Sequence, residues 1–108
     1  MEWTHIASYF FGGVFFANTI PHVVSGMMGR AFQSPFAKPP GKGLSSSTVN
    51  VLWGYFNLVV AYFLIFKVGD FNIRDLNHVA IVALGAILIS LQGARAFGEF
   101  HGGNLPKT

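Results

Sequence analysis

Three apolar stretches of about 20 residues each, 6–28, 49–68 and 79–97, leave this chain few folds to choose from. A helix rises about 1.5 Å per residue, so about 20 residues cross the hydrocarbon of a bilayer. None of the stretches alternates apolar with polar residues as a barrel strand does. In lipid the backbone must satisfy its own hydrogen bonds, and a helix does so within one segment. The pattern predicts three transmembrane helices over about 5–29, 48–68 and 77–99. The expected fold class is an all-α integral membrane protein. It is a small three-helix bundle forming one transmembrane domain over residues 1–108, with a Pro/Gly-rich interfacial loop between the first two helices.

Composition agrees. Charged residues are 10% and hydrophobic residues 52% of the 108, where a soluble domain is about 25% charged. A soluble chain this short exposes much of its surface and needs a polar coat, which is missing here. The absence of cysteine excludes disulfides, thiolate metal sites and cysteine nucleophiles. The net charge of +3 does not indicate nucleic acid, because the basic residues are spread between apolar segments. They read as topology signals and contacts to anionic headgroups. The opening Met1-Glu2-Trp3-Thr4 has no basic region, and the first apolar segment holds Asn18, Pro21 and His22. It is therefore expected to stay as a helix, not to be removed as a leader.

The first connection, 30–47, contains Pro35, Pro39, Pro40, Gly41 and Gly43. Its Phe32 and Phe36 are expected to dip into the headgroup region of the membrane surface. The run Ser45-Ser46-Ser47-Thr48 offers caps for the second helix, and Asp75 or Asn77 for the third. The tail from His101 is expected to fray. Five of the seven basic residues (Arg30, Lys38, Lys42, Arg95 and Lys107) fall on one side, with Lys67 and Arg74 on the other. This puts the N-terminus outside and the C-terminus in the cytoplasm. Trp3, Tyr9, Tyr62 and Trp53 lie near segment ends, where aromatic belts form, with Trp53 a full turn inside.

Polar groups are expensive in hydrocarbon, so their positions carry the functional information. Ser8, Gly12, Asn18, Thr19, His22, Ser25 and Gly26 share one small and polar face of the first helix. Bulky residues such as Phe10, Val14 and Val24, with Ala17 among them, form the opposite, lipid-directed face. The second helix carries Asn50, Gly54, Asn57 and Ala61 on one stripe, and the third Gly85, Gln92, Ala96 and Glu99, with Arg95 adjoining. If neighbouring helices are antiparallel, Asn18, His22, Asn50, Asn57, Gln92, Arg95 and Glu99 collect in one half of the bundle and form a candidate polar pocket. Arg95 and Glu99 are spaced to pair on the helix surface. Pro21 frees the carbonyl of Ala17 and is expected to bend the helix beside this pocket.

The ordinary use of such residues is hydrogen bonding between helices. The sharper use is a pocket or an ion path opening to the cytoplasm, with His22 as its titrating group. Haem needs two His at matching depth on facing helices. His5 and His78 lie at segment ends, and His22 and His101 differ by about 10 Å in depth by helical rise, so no cofactor is expected. Ser25 lies near His22, but no acid is placed to orient the ring, so a hydrolase is not expected. The leading expectation is a non-enzymatic structural or accessory subunit of a membrane assembly. Its partners would be the lipid bilayer and other membrane subunits or further copies of itself, met through the small and polar helix faces. The alternative is a homo-oligomeric small-molecule or ion transporter or channel subunit.

Overall fold

Helix α1 covers Trp3–Met27, α2 Ser47–Tyr62 and α3 Leu76–His101. These come from a computed structural model that describes residues 1–106; Lys107, one of the residues used for orientation, lies outside them. A π-helical turn, Phe63–Val68, continues α2 without a break. Ser46 caps α2 by accepting from the Val49 amide at 3.2 Å. Asp75 caps α3 by accepting from Asn77 at 2.9 Å. Pro21 is accommodated inside an unbroken α1. The third helix runs further than expected, through His101, and Gly102 ends it with φ +80. A left-handed residue closes a helix cheaply only when it lacks Cβ.

The helices form a flat layer, 40 × 34 × 22 Å, with α1 in the middle. Both α2 and α3 pack along α1 and make no comparable contact with each other. This corrects the expectation that helix 1 has one packing face and one lipid face. Two sides of α1 are covered, and Ala17, expected to face lipid, is buried.

Glycines make both contacts possible. A Cβ on Gly54 would meet the Val23 side chain and, at 3.1 Å, the Thr19 carbonyl, while one on Gly26 would meet the Ser47 carbonyl at 2.6 Å. On the other side, a Cβ on Gly13 would overlap the Val82 carbonyl, and one on Gly85 the Phe10 carbonyl. Backbones this close gain van der Waals contact that larger residues would forbid. The residue pairs also set direction: Gly26 lies by Ser47 and Thr19 by Gly54, so α1 and α2 are antiparallel. Tyr9 lies by His78 and His22 by Phe97, so α1 and α3 are parallel.

The first connection is not a simple loop, and the fold is not purely α-helical. Phe32–Gln33 (β1) pairs antiparallel with Leu44–Ser45 (β2), Phe32 opposite Ser45. The Ser34 and Ser45 hydroxyls bond each other, and Ser34 Oγ accepts from the Phe36 amide at 3.1 Å. Phe36 remains exposed beside Trp53. Phe32 does not dip outward as expected: it stacks on His101, ring centroids 5.1 Å apart, and meets Phe97 at 4.8 Å. Tyr9, expected in an aromatic belt, is 0% exposed. Its hydroxyl accepts from the Asp70 amide at 2.9 Å, and its ring lies 4.6 Å from that of His78. Trp3 is exposed and Tyr62 half-exposed.

The burial pattern is turned inside out. Tyr9, Asn50, Asn57 and Ser34 are the largest fully buried side chains, while Leu52, Phe56, Phe63, Leu84, Ile87 and Leu91 point outward. Two helices are long and apolar enough to cross a membrane, Ser47–Val68 and Leu76–His101, each with mean hydropathy 1.8. Of the most apolar stretch, 28% is buried in the first of these and 6% in the second. Helix α1 has 25 residues and is not among them. Two of the three expected spans thus pass on length and composition, and α1 has protein on two sides.

A polar chamber at the hairpin end of the layer

Hydroxyls on these helices satisfy themselves locally. Thr19 donates to the Phe15 carbonyl at 3.0 Å, Ser8 to His5 at 2.9 Å and Ser90 to Ala86 at 2.7 Å. Such back-bonding removes a hydroxyl from any wider network. Amides and imidazoles reach further, and here they organise one end of the molecule.

Asn50 is the hub and is 0% exposed. Its Nδ2 faces three carbonyl oxygens, those of Phe32, Ser45 and Ser46, at 3.0, 3.2 and 3.1 Å. Three acceptors on one side fix which end of the amide is nitrogen. The other end, Oδ1, lies 2.7 Å from Nδ1 of His22. An amide oxygen only accepts, so Nδ1 of His22 carries the hydrogen. In the neutral ring this leaves Nε2 with its lone pair, and among the described residues no protein group bonds it. One side chain of α2 thus ties α1 to both strands of the hairpin.

A second amide pair lies one to two turns deeper. Asn18 donates to Asn57 Oδ1 at 3.1 Å, and Asn57 donates to the Trp53 carbonyl at 2.7 Å. At the outer rim, His101 Nε2 meets Gln33 Oε1 at 2.8 Å, so the imidazole is the donor. Gln33 is 3% exposed.

Between these groups is a chamber of about 160 Å³, lined by Asn18, His22, Gln33, Ser34, Trp53 and Phe97 together with Pro35 and Gly41. Every polar lining group is uncharged in its ordinary state or, for His22, in its neutral form. The Trp53 indole N–H is buried and has no partner among the described residues. A second cavity of about 350 Å³ shares Asn18 and Phe97 with the chamber. It runs as a mostly apolar groove between α1 and α3, past Ile20, Pro21, Ile89 and Ala94.

The seven expected pocket residues therefore divide. Asn18, His22, Asn50 and Asn57 come together. Gln92, Arg95 and Glu99 lie at the same end of the molecule but on the outer face of α3, exposed, with Gly103 and Asn104 beside them. The expected Arg95–Glu99 pair is not formed: among the described residues the one contact within salt-bridge distance joins Asp75 and the His78 ring, at 3.4 Å. Helix α3 turns its Gly85 and Phe97 side toward α1, which carries the Gln92 stripe away from His22.

Gln33, Ser34, Trp53 and Phe97 complete the chamber, with His101 bonded to Gln33, and were not expected there. Gln33 and Ser34 sit in a segment with no periodicity to place them. Among the described residues no group of three or more His, Asp or Glu side chains comes together as a metal site would require. Comparison with protein-family models, with curated proteins and with solved structures finds no match to this chain.

Proposed function

We propose that this chain is a multi-pass integral membrane protein serving as a small structural or accessory subunit of a membrane assembly. The observation that carries the reading is the outward turn of the large apolar residues on α2 and α3 around a polar, glycine-packed interior. In water each exposed apolar Å² is unfavourable by about 25 cal/mol. In hydrocarbon the same surface is at home, and small residues and amides hold the helices together. Helix α1 spans with the others because two flanks are sheltered.

One part of the expected mode of assembly changes. The small faces are used within the chain, at Gly13, Gly26, Gly54 and Gly85. The surfaces left for partners or lipid are the bulky ones: Leu52, Phe56, Val59 and Phe63 on α2, and Leu84, Leu88 and Leu91 on α3. A channel through a single copy is not favoured. Past Asn57 the layer closes where Gly12 meets Ile65 and Gly13 meets Val82. The basic-residue count supports an outer N-terminus and an inner hairpin.

The test is alkaline carbonate extraction of native membranes, followed by native mass spectrometry of the chain purified in mild detergent. Retention in the membrane and unlike chains co-purifying support the reading. Release by carbonate removes the membrane part. A homo-oligomer without other chains, carrying solute flux when reconstituted, replaces the subunit part with a transporter.

A further inference from the structure

We infer that the chamber and the groove beside it form one binding site, for an apolar molecule ending in a single hydroxyl group. Trp53 lines the chamber, and its indole N–H is buried without an acceptor among the described residues. The chamber also holds an acceptor without a donor, Nε2 of His22, because Asn50 fixes the hydrogen on Nδ1. A buried indole N–H left unpaired is costly, so something that accepts belongs beside it. A hydroxyl is the smallest group that accepts from one partner and donates to the other. A carbonyl or ether serves only Trp53. An ammonium would meet no counter-charge among Asn18, His22, Gln33, Ser34 and Trp53, and a carboxylate would meet one only if His22 took up a proton, so that two charges were buried together.

The tail follows from the adjacency of the two spaces. Asn18 and Phe97 line both, and the groove of about 350 Å³ is walled by Ile20, Pro21, Phe32, Ile89, Ala94 and Phe97 among others. A hydrocarbon lying there keeps the hydroxyl end in the chamber, and a molecule dissolved in the membrane enters from between α1 and α3. This rests on the membrane reading for the route of entry.

The experiment uses the full chain in phosphatidylcholine nanodiscs, whose lipids carry no hydroxyl, with tritiated dodecanol as the probe. Incorporation into the discs is scored first by size-exclusion chromatography. Saturable binding above that of empty discs is expected. Unlabelled dodecanol should compete, and dodecyl methyl ether, which accepts but does not donate, roughly tenfold less well, as for the loss of one hydrogen bond. Trp53→Phe keeps the ring and removes the N–H, and should weaken dodecanol about tenfold on the same grounds. Leu91→Ala, on the outer face of α3, should leave it unchanged.

Equal competition by alcohol and ether, or an unchanged Trp53→Phe, overturns the hydroxyl assignment. Incorporation without saturable binding means that the chamber holds water only, and leaves the membrane reading standing. Failure to enter discs overturns both.

Discussion

His22 and Asn50, 28 positions apart in the chain, meet at 2.7 Å, and this contact joins the middle helix to its neighbour and to the hairpin. Asn50 also faces the three carbonyl oxygens of Phe32, Ser45 and Ser46. Removing its amide takes that donor from all three and an acceptor from His22, although the Ser46 carbonyl keeps the backbone N–H of residue 50. Asn50→Ala should therefore destabilise the fold by about 1–3 kcal/mol, the cost of buried polar groups left unpaired. His22→Gln can still offer a donor toward Asn50 and should cost less. Thermal unfolding of both variants in detergent checks this, and a neutral Asn50→Ala would contradict the hub assignment.

The two close approaches of α1 predict an asymmetry among glycines. Gly85→Ala drives a methyl into the Phe10 carbonyl, so α1 and α3 must separate, at about 1–3 kcal/mol for an overpacked contact. Gly93→Ala meets only the Phe97 ring, at 3.7 Å, which is ordinary contact. It should be neutral or stabilise by about 0.5–1 kcal/mol through helix propensity. If both changes behave alike in unfolding measurements, the α1–α3 crossing is not where it is placed here.

A charge on the outer face separates bilayer from water as the surroundings. Leu88 is 48% exposed on α3, near the middle of the helix. In water, Leu88→Asp should be close to neutral for stability and should raise solubility. In a membrane it should impair insertion, by about 2.5–3.5 kcal/mol at a helix centre. A translocon insertion assay decides between the two outcomes.

The bond from His101 to Gln33 anchors the last turn of α3 on the hairpin. His101→Leu leaves the buried Gln33 amide without that donor and frees the helix end. Faster hydrogen exchange over residues 98–102 is the expected result, with global stability changed by under about 1 kcal/mol, as for other local fraying. Unchanged exchange would show that Gly102 alone ends the helix.

Orientation is directly accessible because the chain has no cysteine. Glu2→Cys and Lys42→Cys should label from opposite sides of the membrane, the first from outside. Labelling of both from one side would refute the crossing by α1.

The helices were legible because apolar runs of about 20 residues and their caps are local signals. Ser46 and Asp75 cap as the sequence suggests. The polar face of α1 was legible too, and Asn18, His22, Asn50 and Asn57 meet as its stripe implies. Gln92, Arg95 and Glu99 were misplaced because a stripe gives a face but not the direction that face takes. The rotation of α3 about its axis is set by Gly85 fitting Phe10, a contact between residues 75 positions apart. Phe32 and Gln33 were misplaced for a related reason. A short Pro/Gly-rich segment has no period, and its inward fold depends on Asn50 collecting its carbonyls.

Sequence alone determined the count of the helices, their bounds to within a few residues, and the polar stripe that each one carries. Those are properties of single segments in a solvent, and transfer energies along one helix suffice to set them. Only the tertiary structure decided that α1 lies in the middle, that both of its flanks are covered, and that an unpaired indole N–H and an unpaired imidazole nitrogen share one chamber. These depend on which surfaces fit, and shape complementarity between distant segments is not written in the hydropathy of either.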